Sequence, residues 1–188
     1  MKRDLGAHPY VFPMPVLMVA TYCEDGTVDV MNMAWGGICG NKYVALNLDE
    51  EHKTMENIRR RGAFTLSIAD AAHMAEADFF GIASANTMHD KFARSGMHAV
   101  KSAFVDAPVI EEFPVAIECS LFKVDEWEHG PRVIGEIMNV SAEESILGAD
   151  GKVDVSKIDA LIFDQFGGCY YKVGEKAGKA WSEGKKFM

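Results

Sequence analysis

Read for its alternation of apolar and polar positions, the first half of the chain is a succession of strands. Residues 16–22 form an apolar run that leads into Asp25 and Gly26, a dipeptide suited to a tight turn, and residues 27–33 then alternate polar with apolar. This predicts a hairpin. The alternation returns over residues 43–48 and 63–68, which predicts two further strands. Between them, residues 54–61 read as a short helix with Thr54 as its N-cap, closed by Arg59, Arg60 and Arg61 ahead of Gly62. Residues 70–80 and 89–95 read as two more short helices, the second stopped by Gly96. Strand patterns resume over residues 115–124 and 132–140, joined by a turn around residues 128–131. Many antiparallel strands with short helices between them predict a mainly β fold. They favour a closed or nearly closed barrel over a doubly wound parallel sheet.

Composition narrows this picture. With 188 residues, 48% of them hydrophobic, the chain can fill one core, so a single domain over residues 1–188 is expected. No apolar run reaches membrane-spanning length and the first nine residues are polar, so a cytoplasmic protein without a membrane partner is expected. Cys23, Cys39, Cys119 and Cys169 form no C-x-x-C pair, and most are expected to be buried thiols that act as small apolar groups. The net charge of −9 disfavours nucleic acid and anionic membranes, which would repel the chain at long range. The exception is the tail, where five lysines stand against two glutamates over residues 172–188. It reads as a solvated terminus, or else as a basic arm near a phosphate or a partner surface.

Several chemistries lack their motifs. Six histidines include no H-x-x-x-H or H-E-x-x-H pair, so no metal site is expected. Ser84 does not lie in a G-x-S-x-G elbow, and neither a Rossmann nor a Walker glycine fingerprint occurs. Four short pieces point elsewhere. Residues 31–37 end a strand with Trp35, Gly36 and Gly37, where backbone could approach a ligand closely. Residues 52–58 place His52, Lys53 and Thr54 at a helix start, which suits a phosphate. Residues 81–84 and 90–92 add Ser84 and Lys91, a hydroxyl and a cation. Together they supply what a flat, phosphate-bearing aromatic cofactor needs. Asp49, Glu50 and Glu51 would repel the same anion and are therefore expected to point to solvent.

Residues 13–19, 31–37, 52–57, 78–84 and 90–92 resemble the flavin reductase-like family, and within it the flavoredoxin type. Residues 106–110, Cys119, and residues 135–137, 147–151 and 170–175 extend the likeness over nearly the whole chain. The resemblance implies an FMN-binding split β-barrel that works as a homodimer. Carried over by position, Asn32, Met33, Ala34, Trp35 and Gly36 would border the flavin ring, mainly through backbone groups. His52, Lys53 and Thr54 would meet the phosphate, Ala83 and Ser84 would contact the cofactor along its length, and Lys91 with Phe92 would close that side. The family implies either an NAD(P)H-dependent flavin oxidoreductase or a non-enzymatic electron carrier reduced by another redox protein. A binding module for a different ligand, such as a tetrapyrrole, is a third possibility. One departure from the family pattern falls at residues 40–42, where a longer polar turn is expected.

Overall fold

The structure, a computed structural model, describes residues 1–126 and 128–188. A short strand β1 (Met14–Pro15) precedes the predicted hairpin of β2 (Leu17–Tyr22) and β3 (Val28–Met33), followed by β4 (Gly36–Gly40) and β5 (Tyr43–Asn47). Helix α1 (Lys53–Arg61), β6 (Ala63–Ile68), α2 (Met74–Ile82) and α3 (Lys91–Ser95) come next. A small hairpin of β7 (Ala99–Lys101) and β8 (Pro108–Ile110) leads to the long strands β9 (Val115–Asp125) and β10 (Arg132–Ala142). The strands β11 (Leu161–Asp164) and β12 (Cys169–Lys172) close the set. No helix among the described residues is long and apolar enough to cross a membrane.

Seven strands pair antiparallel in the order β3-β2-β6-β9-β10-β5-β4. The two edge strands, β3 and β4, are consecutive in the chain and joined only by Ala34 and Trp35. Three Cα–Cα steps reach at most about 11 Å, so the ends of opposite edges of this sheet must lie side by side. The sheet therefore curls into a barrel. One core cluster confirms it by uniting Met31 and Met33 of β3 with Val44 and Leu46 of β5, together with Val19, Phe64, Leu66, Cys119 and Val133. β3 and β4 are not hydrogen-bonded neighbours in the sheet, so the barrel is split along that seam.

On the β3 side of the seam, β2 and β3 are buried on both faces, which explains why β2 reads as a continuous apolar run. Leu17 and Val19 point into the barrel, while Met18 and Ala20 join a second cluster with Val30, Ala77, Phe80 and Ile110 under α2 and the β7–β8 hairpin. Met55 and Ile58 of α1 enter the barrel core. The smaller sheet, β1-β11-β12, packs against the outer cluster through Leu161, Phe163 and Tyr170.

Several expectations shift. α1 begins at Lys53, with His52 rather than Thr54 at its N-cap, and ends at Gly62, whose left-handed backbone (φ 65°) returns its N–H to the Ile58 carbonyl. The arginines of its last turn also make ion pairs: Arg59 with Glu50 and Glu126, Arg60 with Glu24, and Arg61 with Asp106. The β4–β5 turn is short, with only Asn41 and Lys42 between paired Gly40 and Tyr43, at the place where the sequence departs from the family pattern. The expectation of mostly buried cysteines is overturned. Only Cys119 is buried, and burial, with Glu118 beside it, pushes its thiol up to about 12. Cys23 is half-buried, and Cys39 and Cys169 are exposed because they lie on the outward face of β4 and at the start of β12.

The tightest point of the barrel wall is Gly135 of β10. A Cβ there would run into the Phe64 ring, 2.8 Å from Cε1, and lie 3.2 Å from Cys119 Cβ. Gly135→Ala is expected to lower unfolding stability by about 1–3 kcal/mol through overpacking, measured by urea denaturation.

Candidate functional site

Where the seam fails to close, a cleft of about 560 Å³ opens along the end of β3. Its apolar surfaces come from Met33, Trp35, Ile82 and Phe163; Asn32, Asn47, Asp78 and Tyr170 bring polar groups to it. Trp35 is 47% exposed and its ring lies 6.4 Å from that of Phe163, which in turn lies 6.1 Å from Tyr170. The polar wall is locked by directed hydrogen bonds. Asn32 Nδ2 donates to the Ala77 carbonyl (2.9 Å) and to Tyr170 Oη (3.2 Å), and Tyr170 Oη donates to Asp78 Oδ1 (3.0 Å). Both amide protons of Asn32 are thereby engaged, so its side-chain carbonyl remains as an acceptor. Burial, and then the Asp78 carboxylate, raise the Tyr170 phenol above its ordinary value.

The cleft continues into a smaller annex of about 160 Å³, and Met31, Asn32, His52, Gly81 and Ile82 line both. α2 can pass close to β3 here because position 81 is glycine; a Cβ on Gly81 would lie 3.3 Å from Asn32 Cβ. The first turn of α1 starts at the annex. Its N-cap residue, His52, is extended and provides no side-chain cap; the Met55 N–H donates to the His52 carbonyl, and the N–H groups of Lys53 and Thr54 are available to an anion. His52 Nδ1 accepts the Asp49 N–H at 3.3 Å, which leaves Nε2 as the donor of the ring.

Two lysines border the annex, each with a carboxylate partner. Lys53 Nζ donates to Glu56 Oε2 at 2.9 Å near the surface, and that hydrogen bond raises the lysine above its ordinary value. Lys91 is only 3% exposed; its Nζ donates to the Ala83 carbonyl at the end of α2 (3.2 Å) and lies 3.0 Å from Asp29 Oδ1. Asp29 Oδ2 accepts the Thr54 hydroxyl at 2.7 Å. All three side chains of this cluster are buried.

Asn32, Met33, Ala34, Trp35 and His52 thus line the cleft, and Lys53, Thr54, Ala83, Ser84 and Lys91 line the annex. Two expected contacts lie elsewhere. Gly36 is outside the cleft lining, because its missing side chain makes room within the wall; a Cβ there would lie 2.5 Å from Met33 Cε and 3.0 Å from the Ala45 carbonyl. Phe92 stacks on Phe80 in the outer core, with ring centroids 6.2 Å apart. Thr54 is also corrected in role. Its single hydroxyl proton goes to Asp29, so its side chain does not present that proton to a phosphate. Glu50 and Glu51 are exposed and line neither space, as expected; Asp49 is exposed as well, but it lines the cleft and its Oδ2 lies 3.7 Å from His52 Nε2. The sequence reading missed Asp29 and Phe163. It quoted Asp78 and Tyr170 in the resemblance but assigned neither a place in the cleft.

These residues fit a flavin. The cleft offers apolar faces and polar edges to a ring, and the annex offers helix N–H groups and two ammonium groups to a phosphate. Comparison with known proteins agrees. The model of the flavin reductase like domain matches residues 10–178, and the chain belongs to that family. It is of the flavoredoxin type. The flavoredoxin of Desulfovibrio vulgaris (Miyazaki F) is 42% identical over 98% of this chain and 100% of that one, with a TM-score of 0.94. A flavoredoxin from Methanosarcina acetivorans shares the fold at 24% identity over the full length of both chains, TM-score 0.90. An FMN-binding domain of a flavin reductases-like enzyme from Shewanella baltica OS155 does so at 19% identity over 88% of each chain, TM-score 0.75.

The two lysines should differ sharply in what they contribute to stability. Lys91→Met strands the Asp29 carboxylate in the interior and is expected to lower stability by about 3–5 kcal/mol. Lys53→Met breaks a pair at the surface and is expected to change it by about 1 kcal/mol or less. Urea unfolding of the ligand-free variants measures both.

Proposed function

We propose that the protein is an FMN-binding flavin oxidoreductase that takes hydride from NAD(P)H and passes electrons onward. The observation that carries this reading is the continuity of a ring-sized cleft with a phosphate-sized annex across shared walls. In it, the N–H groups of Lys53 and Thr54 and the ammonium groups of Lys53 and Lys91 hold the phosphate. The side-chain carbonyl of Asn32 meets the polar edge of the ring, and Trp35 and Phe163 shield it from water. When bound, the flavin supplies hydride acceptance and onward electron transfer, while the protein supplies position and electrostatics. The likeness to flavoredoxins supports a second reading, a non-enzymatic carrier that keeps its FMN and is reduced by a redox protein.

The working unit in either reading is a homodimer. Bulges in the β9–β10 pairing turn Phe122 and Met138 outward, Val140 is exposed further along β10, and Ile38 is exposed on β4, one strand beyond β5. Apolar side chains exposed on this sheet suit a second copy of the chain. Light scattering is expected to give twice the chain mass; a monomer that binds flavin at full affinity would overturn this.

Flavin titration tests the cofactor. Lys53→Met is expected to weaken FMN by about 1.5–3 kcal/mol and leave riboflavin nearly unchanged, because only FMN carries the charged acceptor. Anaerobic mixing with NADH or NADPH then separates the two functional readings. A reductase shows saturable bleaching of the flavin band within seconds. No bleaching by either nucleotide, with fast reduction by a low-potential redox protein, would leave the carrier.

A further inference from the structure

The Lys91 ammonium is placed where an isolated cation would not stay. At 3% exposure it has, among the described residues, one hydrogen bond, to the Ala83 carbonyl, and one charged neighbour, Asp29. A buried ammonium without a counter-charge would give up its proton or swing toward water. Asp29, itself 1% exposed and fixed on β3, removes that choice. Asp29 Oδ1 lies 3.0 Å from Nζ. Of the lysine's three protons, one goes to Ala83 and one faces this carboxylate oxygen, so the third remains for an oxygen in the annex that Lys91 lines.

Thr54 belongs to the same device. Its hydroxyl donates to Asp29 Oδ2, which fixes the carboxylate and ties β3 to the first turn of α1, the turn whose N–H groups open on the annex. Asp29 thus connects the two halves of the anion site, the helix start and the buried cation, and lines the annex between them.

We infer that Asp29 is the positioning residue of the phosphate site, and that it sets the preference for a phosphorylated over an unphosphorylated flavin by holding the Lys91 ammonium in place before the ligand arrives. The inference rests on the reading of the annex as the flavin's phosphate site. Because Asp29 acts through Lys91, its removal should weaken phosphate binding even though it takes away a negative charge near a negative ligand. Preorganisation of the cation outweighs the relief of repulsion, because the lysine is in contact with Asp29 while the ligand binds on its open side.

The test compares FMN and riboflavin on the full chain by flavin-fluorescence titration. Asp29→Asn keeps the shape and an acceptor for Thr54 but removes the charge. It is expected to weaken FMN by about tenfold or more and riboflavin by less than about twofold. A loss of packing alone would lower both equally. In a Lys91→Met background, Asp29→Asn should add less than about twofold to the loss of FMN, since the two side chains act as a unit. If Asp29→Asn does not fold, Thr54→Val reads the same device from its other end and should reduce the FMN preference by about threefold or more. Unchanged or tighter FMN binding in Asp29→Asn overturns the inference, as does an unchanged preference in Thr54→Val. Wild-type protein that binds riboflavin as tightly as FMN overturns the phosphate reading and this inference together. A wild-type preference that survives Asp29→Asn overturns the inference alone.

Discussion

Two residues, Ala34 and Trp35, impose the main constraint on this molecule. They join strands that stand at opposite edges of a seven-stranded sheet, and so short a link forces the sheet to curl until those edges meet. Curling gives the sheet an inside, and six of the seven strands contribute to one cluster there. It also prevents a seam of hydrogen bonds from forming, because the chain that brings the edges together turns through the gap. The cleft is that gap. Its position follows from the topology, and the link residues Ala34 and Trp35 become part of its wall.

Burial of both faces near the seam follows from the same geometry. β2 and β3 carry the barrel interior on one side and the α2 layer on the other, so a polar residue there either pairs or destabilises. Asp29 is such a residue. Its presence on a strand with two buried faces is tolerated because Lys91 and Thr54 arrive from α3 and α1 to meet it. One carboxylate therefore fixes the relation of three elements around the annex, whereas apolar packing alone would specify their angles less sharply.

Most strands were legible in the sequence because alternation and turn dipeptides are local signals: Asp25-Gly26 marks the β2–β3 turn, and residues 63–68 match β6 in full. The helix starts were less legible. Thr54 has the composition of an N-cap, yet its hydroxyl is drawn to a carboxylate 25 residues earlier in the chain, and no local pattern encodes that bond. Asp29 itself sat on an alternating strand, a pattern that carries no sign of an ion pair; only the arrival of α1 and α3 encloses it. Phe92 and Gly36 failed for a related reason, since an aromatic or a glycine beside a site can serve the wall behind it. Phe163 and Tyr170 come from β11 and β12, far along the chain, and nothing short of the tertiary fold brings them to the cleft.

The charges around the annex complete the argument. The chain is acidic overall, and each lysine at the annex is already matched with a carboxylate, Lys53 with Glu56 and Lys91 with Asp29. An anion entering the annex thus meets no large uncompensated positive field. It meets donors at fixed positions: helix N–H groups, an imidazole whose donor nitrogen is Nε2, and ammonium protons not committed elsewhere. The two pairs differ in what they can do next. Glu56 is exposed and can release Lys53 to an arriving phosphate at little cost in solvation, whereas Asp29 is enclosed and cannot leave Lys91. The surface lysine can therefore adapt to the ligand while the buried one defines where the ligand ends.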